Sequence, residues 1–156
     1  MTPITAGPDY ARWTEVLALV QNAFAYMEAR TGHPSPAARL TPKRLVEDAA
    51  LGPVFLIEAA QQPIACLFCR PSRDVKGAMY IGRLAIAETY RSKGLARILV
   101  DAAEDAARTD NAHALTLDTS VMLTELHDIF QTFGFEIVET DQATGVVTMV
   151  KLLAEP

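Results

Sequence analysis

Residues 80–96 read Tyr80-Ile-Gly-Arg-Leu-Ala-Ile86-Ala-Glu-Thr-Tyr-Arg91-Ser-Lys-Gly94-Leu-Ala96. The first half is a short apolar run with alternation, and the second half is a basic turn containing glycine. From Leu95 to Ala107 apolar residues return at helical spacing. The stretch therefore predicts a strand, a tight turn and the start of a helix.

A helix beginning at such a turn leaves its first backbone N–H groups without intrahelical partners, and their partial positive charge favours an anion. Arg91, Ser92 and Lys93 add charge and a hydroxyl, and Gly94 lets the backbone approach a ligand closely. The turn suits phosphate. Neither G-x-x-x-x-G-K-[ST] nor G-x-G-x-x-G occurs, which argues against a nucleotide hydrolase or a dinucleotide-binding enzyme.

Downstream, Leu95, Ile98, Leu99, Ala102, Ala103 and Ala106 form the apolar face of the helix. Ala114 to Asp118 reads as a strand, and Leu123 to Phe133 as a helix closed by Gly134. Phe135 to Glu139 and Val146 to Leu152 are strands around the polar turn Thr140 to Gly145.

Upstream, Met79 to Ile86 is preceded by two apolar runs, Val54 to Ala59 and Ile64 to Arg70, in a hairpin pattern around Gln61-Gln62-Pro63. Three strands in short order predict an antiparallel meander. Before them, Trp13, Val16, Leu17, Val20, Phe24 and Met27 mark a helix from about Tyr10 to Arg30, with Asp9 as its N-cap. Thr31 to Arg39 reads as a loop, and Thr41-Pro42 as the start of a short helix ending before Gly52-Pro53. Thr2 to Ala6 reads as an edge strand. The order is β-α-α-β-β-β-α-β-α-β-β, an α/β (α+β) chain with a mixed, largely antiparallel sheet of about seven strands flanked by four helices.

At 156 residues the chain is expected to be a single domain, residues 1–156, with a substantial core. The net charge of −5 and the lack of a basic tract argue against nucleic acid as a partner. The N-terminus lacks the basic-then-apolar pattern of a signal peptide, and no apolar run approaches the roughly 20 residues needed to cross a bilayer. A cytoplasmic protein without a membrane partner is the expectation. Cys66 and Cys69 have no second ligand pair and an odd offset that sends the two thiols to opposite strand faces. They read as core cysteines, and no metal site is expected.

Arg91-x-x-Gly94-x-Ala96, after the strand ending Leu84-Ala85-Ile86, resembles the pyrophosphate-binding signature [Arg/Gln]-x-x-Gly-x-[Gly/Ala] of the GNAT family of N-acetyltransferases, which uses acetyl-CoA. The order of elements is similar to that family's fold along nearly the whole chain. The resemblance implies an N-acetyltransferase that moves acetyl from acetyl-CoA to a primary amine of a small molecule or peptide by direct attack in a ternary complex. In the family the strand before the phosphate turn splays from its neighbour, here Ala114 to Asp118. By resemblance the pantetheine arm pairs with free backbone groups of Leu84 and Ile86, with Ala85 between them and the thioester carbonyl near the Ile86 N–H. The amides of Arg91, Ser92, Lys93, Gly94, Leu95 and Ala96 would take the phosphates, with charge from Arg91 and Arg97.

From Leu123 the chain reads Leu-Thr-Glu-Leu-His-Asp-Ile-Phe-Gln-Thr-Phe-Gly-Phe, where relatives commonly show Leu-Thr-x-Asn-His-x-x-Tyr-x-x-x-Gly-Phe. His127, Gly134 and Phe135 match. Leu126 replaces the common asparagine, and Phe130 lines the cofactor where the usual tyrosine protonates the leaving sulfur. A phenylalanine donates no proton; the substitutes are water and the hydroxyls of Thr119 and Ser120. The alternative reading is a non-catalytic acyl-CoA-binding module that kept the cleft.

For a base, Tyr80, His127, Asp118 and Glu58 are the candidates. Regular alternation puts Tyr80 on one face with Leu84 and Ile86, and an ordinary phenol pKa of about 10 makes it a better water holder than base. An imidazole titrates in the right range, and local bonding is the competing role for His127. Asp118 at a strand end reads equally as an N-cap. The acceptor pocket, by resemblance, is lined by the first two helices and their loop, here Tyr26, Met27, Arg30, His33 and Arg39. A homodimer is expected by the same analogy.

Overall fold

The computed structural model describes residues 1–153, so the last three residues of the expected domain lie outside the described residues. Strands β1 (Ile4–Ala6), β2 (Val54–Ala59), β3 (Gln62–Pro71), β4 (Ala78–Ile86), β5 (Ala114–Ser120), β6 (Glu136–Asp141) and β7 (Val146–Leu152) form one sheet in the order β1-β2-β3-β4-β5-β7-β6. The β4–β5 pair is parallel and every other neighbouring pair antiparallel. Helices α1 (Trp13–Thr31) and α2 (Pro42–Ala49) pack on one face; α3 (Leu95–Thr109) and α4 (Thr124–Thr132) pack on the other.

Two cores follow from strand alternation. Along β2, Val54 and Leu56 join Trp13, Val16 and Leu45 under α1 and α2, while Phe55 and Ile57 join Leu99 and Phe135 under α3 and α4. A strand buried on both faces reads as a continuous apolar run, as β2 does. Cys66 belongs to the first core and Cys69 to the second, both as free thiols.

Three local expectations are corrected. Helix α1 starts at Trp13 with Arg12 as N-cap, not at Tyr10 under Asp9. The Tyr10 N–H is already taken by the Gly7 carbonyl, and its hydroxyl donates to Glu58 on β2 at 2.6 Å, which holds residues 7–10 in a separate turn. The β2–β3 turn is Ala60-Gln61, both at positive φ (51 and 65), because Ala59 already pairs with Gln62. That geometry is the two-residue hairpin turn whose twist matches the strands. Residues Pro36–Arg39, expected as loop, form one 3-10 turn.

Other signals held. Thr41 caps α2, its Oγ1 accepting from the Arg44 N–H at 3.2 Å. After α4, Gly134 takes φ 97, its N–H donates to Gln131 and the Phe135 N–H donates to Phe130, the paired bonds of a Schellman motif.

The irregularity that matters lies in β4. Phe68 faces Gly82 and Cys66 faces Ala85, so β4 carries one extra residue in this interval. Arg83 absorbs it with φ 52. The bulge breaks the alternation assumed from sequence: Met79 and Ile81 share the α3/α4 face with Leu84 and Ile86. Tyr80 is thereby on the opposite face from Leu84 and Ile86, facing α1 and α2, where Arg70 stacks on its ring.

Candidate functional site

The β4–β5 pairing covers only Ala78–Tyr80 against Ala114–Thr116. Past that point the two strands part, and a cavity of about 1100 Å³ lies between their C-terminal ends, α1, α2, α3 and α4. Parallel pairing opens both C-terminal ends at one edge of the sheet. The cleft is where that edge meets the phosphate turn.

The turn is built on two left-handed residues, Ser92 (φ 63) and Gly94 (φ 79), and Gly94 is the N-cap of α3. No side chain caps that N-terminus, so its first amides are left for a ligand. A Cβ placed on Gly94 would meet no protein atom within 4 Å. Arg91, Ser92, Gly94, Leu95, Ala96 and Arg97 all line the cavity. The Arg91 side chain folds back so that its Nε donates to the Ile86 carbonyl at 3.3 Å. Arg97 donates to the Thr132 carbonyl at 3.4 Å and stacks on Phe133, joining α3 to α4. An open backbone cradle flanked by two guanidinium groups fits a pyrophosphate.

Leu84, Ile86, Phe130, Tyr80, Tyr26 and Met27 also line the cavity. Lys93 does not, and Ala85 is buried in the opposite core under α1 and α2. His33 and Arg39 lie outside the wall, exposed on the loop between α1 and α2. His127 is buried behind the wall, its Nε2 2.8 Å from the Ser120 carbonyl. A carbonyl only accepts, so that nitrogen carries the proton, and the imidazole secures the β5–α4 turn. Glu58 is engaged by Tyr10 and absent from the wall. Asp118 lines the cavity but caps no helix: β5 runs on to Ser120, and its carboxylate accepts from the Thr148 hydroxyl at 3.0 Å.

Burial pushes the Tyr80 phenol up from its ordinary range, and the Asp118 carboxylate adds to this, partly opposed by Arg70 and Arg83. Tyr26 moves the same way through burial and then Glu125. Neither phenol is set up as a base at neutral pH. Phe130 packs edge-on against Phe133 and Phe135, at ring separations of 6.5 and 5.8 Å.

Sequence reasoning missed several wall residues. Arg83 reaches α2 and pairs with Asp48, which also accepts from the Arg44 Nε at 3.1 Å. Arg70, Arg73 and Glu125 complete the polar wall, and Arg30 spans from α1 to Glu125 and to the Met122 carbonyl. Thr119, one of the hydroxyls considered as a substitute acid, lines the cavity with its Oγ1 buried and without a hydrogen-bond partner among the described residues. Gly82 inside the strand was the one available signal for the bulge that redirects Arg83. No spacing in the sequence marks the arginines, because α2, β3 and β4 bring them together from distant positions.

A family model described as the acetyltransferase (GNAT) family matches residues 14–135, most of the chain. N-alpha-acetyltransferase 30 of Saccharomyces cerevisiae is 35% identical over 75 residues, 47% of this chain and 43% of that protein, so the match spans less than half of the curated relative. Among solved structures, an acyl-CoA N-acyltransferase of Klebsiella pneumoniae superposes with TM-score 0.71 at 21% identity, covering 98% of this chain and 97% of that one. The PaiA N-acetyltransferase of Thermoplasma acidophilum, in complex with coenzyme A, superposes with TM-score 0.79 at 13% identity, covering 98% and 100%.

Proposed function

Because the chain belongs to the acetyltransferase (GNAT) family, whose members use acetyl-CoA, we propose that it transfers acetyl from acetyl-CoA to a primary amine by direct attack in a ternary complex. The observation that carries this reading is the parting of β4 from β5 directly above an uncapped helix N-terminus with two left-handed turn residues. Acetyl-CoA supplies the activated acetyl group. The amides from Ser92 to Ala96, with Arg91 and Arg97, bind its phosphates, and the backbone of Leu84 and Ile86 aligns the pantetheine arm.

The Ile86 N–H is assigned to the thioester oxygen. A backbone donor aimed at a developing oxyanion typically contributes about 10²- to 10³-fold in rate. The acceptor enters from the α1 and α2 side past Tyr26, Met27 and Tyr80. Tyr80, protonated over the working range, holds water rather than acting as the base. The attacking amine gives up its proton to the water held by Tyr80. Since Phe130 has no proton to give, the leaving thiolate takes one from water, either directly or relayed through the Thr119 hydroxyl, which receives a proton from water as it passes its own on. We also propose that the protein acts in the cytoplasm.

The test of the cofactor site is Gly94→Glu, which puts a carboxylate where the pyrophosphate would sit. We expect acetyl-CoA affinity to fall by about tenfold or more, the equivalent of losing one charge-assisted contact. Unchanged affinity by calorimetric titration would remove the assignment. Phe130 keeps a second reading in play, a binding module that holds acyl-CoA without turning it over; absence of amine-dependent thiol release across acceptor classes would favour it.

A further inference from the structure

The chain carries 14 lysines and arginines against 19 acidic residues, yet the cavity wall facing α1 and α2 reverses that balance. Arg44, Arg70, Arg73 and Arg83 line it with one carboxylate, Asp48, which is already shared between Arg44 and Arg83. Arg70 lies with its guanidinium carbon 4.2 Å from the centre of the Tyr80 ring, and one of its nitrogens donates to the Pro71 carbonyl at 3.3 Å. Among the described residues neither Arg70 nor Arg73 forms an ion pair. The other carboxylates of the cleft are engaged or set apart: Asp118 accepts from Thr148, Glu125 pairs with Arg30, and Asp101 belongs to α3 on the phosphate side. Asp74, exposed beside Arg73, does not line the cavity.

A guanidinium stacked on an aromatic ring and free of a carboxylate partner, as Arg70 is among the described residues, with a second unpaired guanidinium on the same wall, is a ready receptor for a carboxylate. We propose that the acceptor is an acidic peptide N-terminus, whose side-chain carboxylate is bound by Arg70 and Arg73 while its α-amine reaches the thioester. The proposal rests on the acetyl-transfer reading of this cleft.

Strand register supplies the length. Arg70 pairs with Tyr80, while Ile86, whose N–H is assigned to the thioester oxygen, pairs with Ala65, five strand residues from Arg70. At about 3.3 Å per residue the two backbone positions lie roughly 17 Å apart. The gap is shortened because the Tyr80 ring leans toward Gly82, on the Ile86 side, with the Arg70 guanidinium stacked on it. A free α-amino acid is too short to fill both positions. A peptide with aspartate or glutamate as its second or third residue spans them, and the amine-rich polyamines offer charge of the wrong sign.

The experiment uses matched short peptides that differ only in an acidic, neutral amide or lysine residue at positions two and three. Thiol release from acetyl-CoA is measured with each, and fluorescence anisotropy follows their binding to protein saturated with coenzyme A. We expect kcat/KM for the acidic peptide to exceed that of the neutral one by about tenfold, the worth of one charge-assisted hydrogen bond. Arg70→Gln and, separately, the exposed Arg73→Gln should narrow that ratio while coenzyme A affinity is retained. Equal or better use of the lysine peptide would overturn the proposal and leave the transferase reading standing. Acidic-peptide binding that both variants weaken, without turnover by any peptide, would uphold the carboxylate site and defeat the transferase reading; loss of both signals defeats both.

Discussion

Thr119 and Phe130 state the central chemical question at the scale of single residues. Phe130 sits in an aromatic cluster with Phe133 and Phe135, so the α4 position where relatives often place a phenol is filled by hydrocarbon. On β5, the Thr119 Oγ1 is buried in the cleft wall with no partner among the described residues. A buried hydroxyl without a hydrogen bond costs stability, and such groups are retained where a ligand completes them. Thr119→Val keeps shape and removes the hydroxyl. We expect kcat to fall by about 10²-fold, the low end of the range for losing a positioned proton donor, with acetyl-CoA affinity unchanged. Phe130→Tyr in that background should recover turnover, because a phenol is returned near the leaving sulfur. A kcat for Thr119→Val equal to that of the parent would assign the proton to water.

At the scale of elements, the bulge in β4 decides which side chains enter which half of the cleft. Arg83 adopts φ 52, a conformation that a non-glycine residue holds only with outside support. Asp48 on α2 pairs with its guanidinium, and the Phe68 ring lies beneath it at 5.1 Å. Both partners are mostly shielded from water, at 24% and 15% side-chain exposure, so the pair is worth more than a surface contact. Asp48→Asn should destabilise the fold by about 1–2 kcal/mol, since it strands Arg83 and Arg44 together and removes the strut of the bulge. Urea unfolding measures the loss. If the bulge also sets the cleft, the same variant raises KM for the amine more than for acetyl-CoA.

For the whole molecule, alkaline pH is the informative variable. Burial pushes Cys66 and Cys69 up to about 12 each, and Tyr10 is raised as well by burial and by its bond to Glu58. These groups hold their protons in the folded protein after the unfolded chain has lost them. The stabilisation is fully present below the unfolded thiol pKa of about 8.5 and is lost as pH rises toward the folded value. We therefore expect Tm to be flat through neutral pH and to fall steadily above about pH 9. The same burial keeps both thiols silent toward disulfide reagents in the native protein at pH 8. Prompt labelling of two thiols without denaturant would contradict the two-sided core. That silence also means a thiol-release assay reads only the coenzyme.

Much of this architecture was legible before any coordinate. The order of strands and helices, the phosphate turn at Arg91-x-x-Gly94-x-Ala96 and the Gly134 stop of α4 are encoded within a few residues each, in hydrophobic period, backbone freedom and cap chemistry. Those are local forces, and the chain states them locally. The face that Tyr80 presents, the exclusion of His33, Arg39 and Lys93 from the cleft wall and the burial of His127 behind it were settled elsewhere. So was the meeting of Arg44, Asp48 and Arg83 beside Arg70. Each depends on one extra residue in β4, or on segments tens of positions apart packing across a sheet. One residue of strand register reverses every side chain beyond it, and contacts between distant segments leave no period in the sequence. Thus the sequence by itself determined the scaffold and its anion-binding turn, and tertiary packing alone decided which side chains meet the acceptor.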